Sequence, residues 1–527
     1  MAKLNNVNTT DIANAIKLGC STMCSVFNAD DNYVPFFGSV VWPEGNFAFS
    51  THHSESHVPG RHLNALLNAE DALGITIDPA VIDHHANAAF LSYSGPLCLP
   101  LNRKKIGGPL GIFYPHNIRE GFHALYALVK YRRSDRAQDL AEKSIDCILA
   151  LWDPVNGWDR NVIEKQHNLE FVECPFVIGL GRSLGSLVKY YRATGSSRAL
   201  HLATMIKDKL INEFYDTSGH FDASLFGDHM HSVTCCLSSL AQMAELMGDL
   251  SLMNRVKAFY DNGLWQLRDE IGWSPESTHQ ISAKLTEHGE ANNTGDIIET
   301  ALILARSGYT QYYDDAERIL RAHLLPSQLR DISFIKEPEN TNGLDSLRNI
   351  AQRHKGAWGF PAPYGHKSIN AGRNGSVSFN MDIVGGVVGS LCEAYREIAF
   401  FDHLGHHVNL LFDYDTPNIH IESPYTHETL KIHLHRSGSL FVRIPSWVDR
   451  KQLHIGGVPS QPLWTGNKLY FPQLSDNCTV TIGLSLPQQT ITMERNHIFP
   501  IRVKLQGDKV LGMDNFNADF TFFDPIG

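Results

Sequence analysis

The stretch HGEANNTGDIIETALILARSG (residues 288–308) places three carboxylates, side chains that can donate and accept protons in catalysis, before an apolar run. Asp296 and Glu299 are three residues apart and would share one face of a helix. Asp296 fits a capping position behind Asn293, whereas burying Glu299 would be costly unless a cavity meets it. Glu290 precedes the helix, in the kind of irregular segment that often carries catalytic groups. We therefore predict that Glu290 and Glu299 face a cavity and that Asp296 caps the helix.

Titratable or amide side chains also stand at the starts of the other helical segments. If these helices run parallel, their N-termini gather at one mouth of the fold. Free N–H groups and positive dipole ends favour anionic or hydroxyl-rich groups there. The side chains predicted to surround that mouth are His57, His116 with Asn117, Glu173, Asp228 with His229 and His231, and Asn380 with Asp382.

A repeated pattern predicts the scaffold that would carry these side chains. Four segments each show an amphipathic run, a break and a second run, with apolar residues at helical spacing. The breaks fall at Ser134, Gly195, Gly248 and Gly308, spaced 61, 53 and 60 residues apart. Each segment is predicted to be a helical hairpin. Two more helical runs, 58–74 and 381–401, bring the expected number of hairpins to six, which favours an (α/α)6 toroid over an open solenoid.

The C-terminal part follows a different pattern. From residue 405 onward, apolar and polar residues alternate and Gly, Pro, Asn and Asp mark the turns, which predicts an antiparallel β-sandwich. The fold class is therefore mainly α with an all-β C-terminal module. We expect three parts: an N-terminal segment (1–45) packing on either module, a catalytic toroid (46–404) and the β-sandwich (405–527).

Composition excludes several classes of function. A formal net charge of −11 without a basic cluster argues against nucleic acid as a partner. No stretch reaches the roughly 18 apolar residues of a membrane span, and the first residues do not read as a secretory signal. Nine scattered cysteines fit reduced thiols, so we expect a cytoplasmic protein. Homo-oligomerisation stays open.

Histidine and tryptophan offer further chemistry. The 27 histidines include three clusters, at 52–57, 83–85 and 228–231, that resemble zinc ligand sets but lack a helical H-x-x-x-H pair. Metal binding by them is the less favoured alternative. Trp358 lies in an irregular segment, where an indole could present a flat face to a sugar ring.

Several runs together resemble the β-L-arabinofuranosidase-like glycoside hydrolases, family 127 and its relatives. The resemblance extends over roughly residues 50 to 490 and implies the toroid-plus-sandwich fold. The runs that carry it are HNIREGFHALYALVKYRR, ECPFVIGLGRSLGSLVKYYRATGSSRALHLA, GDHMHSVTCCLSSLAQMAELMGD, HGEANNTGDIIETALILARSG and LFVRIPSW.

The resemblance also implies residue roles, and one departure matters. Glu290 stands at the family's acid/base, Glu299 at its zinc-ligand glutamate, and His229 at a sugar-contacting histidine. The family's zinc and nucleophile cysteines are absent: Ala301, Phe379 and Asn380 stand in their places. A site without these thiolates should not hold zinc in that geometry, so we expect no metal and no cofactor.

Three hypotheses for function follow. The first is a glycoside hydrolase releasing a terminal sugar from an oligosaccharide, with Glu290 as acid and Asp296, Glu299 or Asp382 as base or nucleophile. The second is a lyase or epimerase acting on a uronic acid, with a base and a carboxylate-binding group among His116, His229, Asn117, Asn380, Tyr114 and Arg373. The third is a non-catalytic carbohydrate-binding protein. For the hydrolase, His229 is counted among the catalytic residues together with the carboxylates. The expected substrate contacts are His57, His116, Asn117, Glu173, His231, Trp358 and Asn380.

Overall fold

The structure is a computed structural model that describes residues 3–279, 286–371, 375–458 and 461–527. Over these ranges the chain forms twelve α-helices of eight or more residues, and none of them is long and apolar enough to cross a bilayer. They are α1 (Ile12–Met23), α2 (Val58–Leu73), α3 (Pro79–Ser92), α4 (Ile118–Arg132), α5 (Asp135–Leu151), α6 (Leu184–Thr194), α7 (Ser197–Glu213), α8 (Met230–Met247), α9 (Leu250–Asp261), α10 (Ala291–Arg306), α11 (Tyr312–Ile319) and α12 (Met381–Ile398).

The six even-numbered helices form a closed inner ring. Helix α2 packs on α4, α4 on α6, α6 on α8, α8 on α10, α10 on α12, and α12 on α2. This closure confirms the predicted toroid and excludes an open solenoid, whose end repeats would lack one neighbour. The approach of α2 to α4 depends on Gly60, where a Cβ would lie 1.8 Å from the Glu120 carbonyl oxygen.

Five of the inner helices are followed directly by an outer helix that packs on them, as the hairpin pattern predicts. The outer helices are α3, α5, α7, α9 and α11. The predicted breaks at Gly195 and Gly248 end α6 and α8, with φ of 71° and 61°. Glycine adopts this left-handed conformation without steric cost, so the breaks could be located from the sequence.

The sixth inner helix obtains its outer partner from the other end of the chain. Helix α1, in the N-terminal segment, packs on α12 and also touches α2. The toroid therefore consists of five hairpins and one pair of helices from opposite ends of the chain. The expectation of six hairpins was wrong at this pair, because the chain leaves α12 as a strand.

Twenty-three short strands accompany the helices in the described part of the chain, ten of them before α12. These ten are β1 (Phe27–Asn28), β2 (Val34–Pro35), β3 (Gly38–Trp42), β4 (Asn46–Ala48), β5 (Leu101–Arg103), β6 (Leu110–Phe113), β7 (Trp152–Asp153), β8 (Gly157–Trp158), β9 (Glu170–Phe171) and β10 (Val377–Asn380). The remaining strands are β11 (Ala399–Asp402), β12 (Gly405–Val408), β13 (Tyr414–Asp415), β14 (Ile419–Glu422), β15 (Leu430–Leu434), β16 (Gly438–Arg443), β17 (His454–Gly456), β18 (Leu463–Thr465), β19 (Lys468–Leu474), β20 (Thr479–Gly483), β21 (Gln488–Met493), β22 (Ile501–Gln506) and β23 (Lys509–Met513).

The C-terminal strands form three sheets. Two have five strands, in the orders β11-β12-β16-β19-β18 and β13-β14-β15-β20-β17, and the third has the order β21-β22-β23. Their described pairs are antiparallel except for β12 with β16, which is parallel. The predicted all-β C-terminal part is confirmed, and its first strand begins at Ala399 rather than at 405.

A small sheet near the N-terminus meets the toroid where α12 begins. Strand β3 lies between β4 and β10, with Gly38 opposite Asn380. The Met381 N–H donates to the Phe37 carbonyl at 2.6 Å. These pairings place the Phe37 side chain beside the first residues of α12, which matters for the cavity described next.

Candidate active site

A cavity of about 380 Å³ opens at the mouth of the toroid where the inner helices begin. Four inner helices, α2, α8, α10 and α12, have His57, His229, Glu290 and Asn380 at their N-caps. The N-termini therefore meet at one mouth, as the sequence predicts. The lining consists of Phe37, His53, His57, Tyr114, His116, Ile178, His229, His231, Glu276, Glu290, Phe360, Asn380 and Asp382.

Among the carboxyl groups that line the cavity, Asp382 is the one held most firmly in its ionised form. His57 Nε2 lies 3.1 Å from Asp382 Oδ2 and its Nδ1 lies 2.9 Å from Asn117 Oδ1, both within hydrogen-bonding distance. Burial alone would raise the pKa of Asp382, but the His57 hydrogen bond and the charges of His57 and Arg61 outweigh it and lower the pKa to about 2. Its Oδ1 has no hydrogen-bond partner among the described residues.

Glu290 shows the opposite shift. It is 7% exposed, and Asn292 Nδ2 donates to its Oε1 at 2.6 Å while His231 Nδ1 lies 3.3 Å from the same oxygen. Burial, reinforced by the charges of Glu276 and Asp382, raises its pKa well above the usual range. Glu290 is therefore a carboxyl group that keeps its proton to higher pH than an ordinary glutamate.

Glu276 is a third carboxyl of this cavity, and the sequence analysis missed it. Its pKa is raised to about 7, mainly by burial, with a backbone hydrogen bond from Glu290 opposing the shift and the charge of Asp382 adding to it. His229 Nε2 lies 3.5 Å from Glu276 Oε1. Glu276 stands in a loop without periodicity, and no motif marks it. A search of every Glu or Asp in the irregular segment before α10 would have included it.

Three histidines of the cavity are held in their neutral form. Burial lowers the pKa of His229 to about 3, and the guanidinium of Arg182 adds to the shift. The pKa of His116 is lowered by burial and Arg182, and that of His231 by burial and Arg61. Their rings therefore act as hydrogen-bonding and stacking surfaces at neutral pH. The planes of His57 and His116 are stacked with centroids 5.4 Å apart.

A buried ionic cluster forms the floor beneath the cavity. Glu120, completely buried, accepts from Arg61 Nε at 3.2 Å, Arg182 Nη2 at 3.2 Å and Arg119 Nη1 at 3.4 Å, and His57 Nδ1 lies 3.5 Å away. Burial opposes ionisation, but these positive charges keep the pKa of Glu120 well below its usual range. The cluster therefore fixes the arginines that set the charge environment of the histidines above.

The structure brings together most of the residues predicted to surround the mouth. His57, His116, His229, His231, Glu290, Asn380 and Asp382 all line the cavity. Asn117 lies directly behind them, buried, and its Nδ2 donates to the His52 carbonyl at 2.7 Å.

Asp296 lies beneath the cavity. The N-cap of helix α10 is Glu290, three residues before the predicted cap at Asn293, so the expectation that Asp296 caps the helix was wrong. Thr234 Oγ1 donates to Asp296 Oδ2 at 3.1 Å, and His231 Nε2 lies 3.5 Å from it. Burial raises its pKa to about 7.

Glu299 faces a different cavity. It accepts from the hydroxyls of Ser238 and Ser390, each at 2.9 Å, and lines a cavity of about 460 Å³ at the opposite mouth of the toroid. Nine residues of helix separate it from Glu290, a rise of about 13 Å along the axis. The two side chains therefore do not meet.

Two of the predicted sugar contacts lie away from the cavity, and one residue cannot be placed. Glu173 is exposed and pairs with Arg160 at 3.2 Å. Trp358 is fully buried, and its Nε1 donates to the Leu324 carbonyl at 2.9 Å, so its indole belongs to the core. Arg373 lies outside the described residues. Aromatic faces are supplied to the cavity by Phe37, Tyr114 and Phe360 instead.

The donor set for a thiolate zinc site is absent from the described residues at the positions the family resemblance implies. Ala301 and Phe379 are buried apolar side chains, and Asn380 offers only an amide. The neighbouring pair Cys235 and Cys236 points away from the cavity, with sulfur atoms near the carbonyls of residues 182 and 177. These residues do not fit a zinc ion held by three cysteines.

Two groups of imidazole and carboxylate ligands are close enough to hold an ion: His53 with His57 and His116, and His229 with His231 and Glu290. Their ring nitrogens are largely engaged. Both ring nitrogens of His57 are within hydrogen-bonding distance of other side chains, and His116 donates from Nδ1 to the Ile178 carbonyl and accepts from Arg182. His231 accepts from Arg61 at 3.2 Å, which leaves Nδ1 to donate to Glu290. The absence of metal remains our prediction.

Comparisons with known proteins support the fold. No protein-family model matches this sequence, and no curated protein matches it. Among solved structures, the chain is similar to a GH127 β-L-arabinofuranosidase from Geobacillus stearothermophilus T6, with 14% identity over 94% of this chain and 80% of that one and a TM-score of 0.55. It is also similar to another GH127 β-arabinofuranosidase, with 12% identity over 95% and 80% of the two chains and a TM-score of 0.54.

A sugar epimerase from a ruminal bacterium is similar as well, with 10% identity over 73% of this chain and 99% of that one and a TM-score of 0.50. The resemblance to the GH127 architecture is thereby confirmed at the level of fold. Similarity at such low sequence identity supports the fold but does not indicate the reaction, which has to be inferred from the cavity.

Proposed function

We propose that this chain is a glycoside hydrolase that releases a terminal neutral sugar from an oligosaccharide, with Glu290 as general acid and Asp382 as the ionised partner. The observation that carries this proposal is the divergence of two carboxyls on neighbouring inner helices. The pKa of Glu290 is raised, and that of Asp382 is lowered to about 2. Glu290 therefore keeps its proton to higher pH than usual and Asp382 keeps its charge to lower pH, which matches the division of roles that glycoside hydrolysis needs.

The reaction follows from these two states. Glu290 gives its proton to the glycosidic oxygen as the bond to the anomeric carbon breaks, and positive charge develops on the sugar. Asp382, with a free Oδ1, either attacks the anomeric carbon or takes a proton from the attacking water. Attack by Asp382 gives retention of configuration, and base catalysis gives inversion. Glu276 stabilises the protonated form of Glu290 by charge repulsion.

The charge of the cavity favours a neutral sugar. Among the described residues its lining contains three carboxyls but no lysine or arginine. Arg61 and Arg182 lie below, buried and engaged with Glu120. A uronic acid would place its carboxylate near Asp382 with no lysine or arginine of the lining to face it, an unfavourable pairing of like charges.

The lyase or epimerase alternative needs a base that accepts the proton next to the substrate carboxylate. The similarity to a sugar epimerase keeps this class in view. The pKa of His229, at about 3, makes this ring a weak base, and the cavity lining described above has no lysine or arginine for the acid. A non-catalytic binding protein has no need for two carboxyls with opposite pKa shifts in one cavity. Both alternatives therefore rank below the hydrolase.

One assay separates the three functions. The protein is incubated with a panel of arabinofuranosides, rhamnosides and glucuronides, and both reducing sugar and the ultraviolet absorbance of an unsaturated product are recorded. A hydrolase gives reducing sugar without the absorbance, and a lyase gives the absorbance. An epimerase and a binding protein give neither signal, but in deuterium oxide only the epimerase introduces solvent deuterium into the recovered sugar.

Variants then test the roles. Glu290→Gln and Asp382→Asn should each lower kcat by on the order of 100-fold or more while binding is kept. Glu173→Gln, an exposed carboxylate outside the cavity, is the matched control and should leave kcat unchanged. Activity retained in both cavity variants would overturn the assignment.

A further inference from the structure

Three consecutive residues of the C-terminal part, 496–498, contact the loops that carry Glu276 and Glu290. They lie in the connection between β21 and β22. The buried ring of His497 lies between two carboxylates, with Nε2 at 3.2 Å from Asp269 Oδ2 and Nδ1 at 3.3 Å from Glu287 Oε1. One imidazole thus joins two segments of the toroid.

The residues on either side of His497 strengthen the same contact. Asn496 Nδ2 donates to the Arg268 carbonyl at 3.2 Å, and the Ile498 N–H donates to Glu287 Oε1 at 2.9 Å. The indole of Trp273 stacks on the His497 ring with centroids 5.3 Å apart. Three consecutive residues of one hairpin therefore bind both segments.

The two carboxylates that hold His497 organise the loops behind the cavity. Asp269 Oδ1 accepts the N–H groups of Ile271 at 3.0 Å and Trp273 at 2.9 Å, which fixes the turn just before Glu276. Glu287 accepts from the Tyr364 hydroxyl at 3.0 Å, three residues before Glu290. The two loops are also joined directly, because the Glu276 N–H donates to the His288 carbonyl at 2.9 Å.

We propose that His497 is a positioning residue, which holds the loops 269–276 and 287–290 at one spacing so that Glu276 and Glu290 face the same cavity. Its catalytic consequence rests on the function proposed above. The hairpin of the C-terminal strands then takes part in building the active site, although none of its residues lines the cavity.

The charges around the ring support this role. Burial alone would lower the pKa of His497, but the pairs with Asp269 and Glu287 outweigh it and raise the pKa to about 9. The other titratable groups here are His323, whose pKa burial lowers to about 4, Tyr364, bonded to Glu287, and Arg268, paired with Asp315 at 2.5 Å. At neutral pH, His497 is therefore the cation between the two loop carboxylates.

The test compares His497→Gln, which loses the charge, with His497→Lys, which keeps it. His406→Gln is the matched control, because His406 is a buried histidine of the C-terminal strands that donates to the Arg436 carbonyl instead. His497→Gln should lower kcat about 10-fold or more with KM changed less than about threefold, and His497→Lys should recover part of the loss. His406→Gln should leave kcat unchanged.

Hydrogen exchange of residues 269–276 and 287–291 provides the second measurement. Exchange there should accelerate in His497→Gln and stay unchanged in His406→Gln. A lower melting temperature with kcat and loop exchange unchanged would overturn the proposal and leave His497 a purely structural residue. If His497→Gln does not fold, Asn496→Ala removes one contact of the same segment and should give the same loop exchange in weaker form.

The two measurements distinguish a failure of the proposed function from a failure of the positioning role. If the wild-type protein hydrolyses no glycoside, the proposed function fails, while loop exchange still tests whether His497 holds the loops. If the wild-type protein is active and His497→Gln shows normal kcat and normal loop exchange, only the positioning role is lost.

Discussion

Substitution of Glu120 tests how strongly the buried ionic cluster beneath the candidate active site stabilises the fold. Glu120→Gln keeps the shape of the side chain but removes the charge that three arginines share. Glu120 is fully buried, and Arg61, Arg119 and Arg182 all donate to its Oε1. The arginines would remain in place with less compensation for their charges.

The expected effect is large because the cluster has almost no access to water. Removing one partner of a buried ion pair typically destabilises a protein by about 3–5 kcal/mol. Because three guanidinium groups lose the anion that they share, we expect Glu120→Gln to lower the free energy of unfolding by about 4 kcal/mol. The pKa of Glu120 is lowered in the folded state, so its contribution is present at pH 7 and is lost as the pH falls below its unfolded value of 4.5. The variant should therefore also lose part of the acid dependence of stability.

Urea unfolding of the wild type and the variant measures this difference. Tryptophan fluorescence and far-ultraviolet circular dichroism should be followed together, because coincident transitions are needed to derive a free energy. Glu164→Gln is the control: its partner Arg160 is 3.0 Å away, but the pair lies on the surface. The control should show no measurable change. A loss below about 1 kcal/mol for Glu120→Gln would refute the idea that this carboxylate holds the floor together.

Three further results are expected. Glu276→Gln removes a negative charge that raises the pKa of Glu290, so the alkaline limb of the pH profile of kcat/KM should move to lower pH. An unchanged alkaline limb would show that the charge of Glu276 does not influence the titration of Glu290. Trp358→Phe removes the hydrogen bond to the Leu324 carbonyl and leaves a void, so the free energy of unfolding should fall by about 2 kcal/mol with KM unchanged. A raised KM at unchanged stability would indicate instead that Trp358 contacts the sugar. Dialysis against a chelator should leave activity intact, and a loss reversed by zinc would contradict the metal-free cavity.

Local signals explain why much of the scaffold could be predicted. The break at Gly195 is visible in the sequence because a glycine in the left-handed conformation ends a helix through contacts within a few residues. The apolar spacing that marks Ala203, Ile206 and Leu210 reflects the buried face of a single helix. The N-terminal position of His57 and Asn380 could likewise be inferred once each helix start was located.

Nonlocal contacts explain the rest. Helix α1 completes the ring against α12 only because the two ends of the chain meet, and no short-range pattern reports such a meeting. Helical periodicity places Glu299 on one face of α10 but does not say which mouth of the toroid that depth of the helix reaches. Glu276 follows no pattern at all, and its pKa departs from the ordinary value only through burial and the charges around it.

The amino-acid sequence by itself located most helix starts, the breaks between paired helices and the change to strands to within several residues, since each depends on side chains close together along the chain. Only the tertiary structure decided which carboxyls share a cavity, in which direction the pKa of each is shifted, and that Trp358 belongs to the core. The physical reason is that burial and electrostatic interaction are set by neighbours in space. For Glu276, Glu290 and Asp382, those neighbours come from distant parts of the sequence.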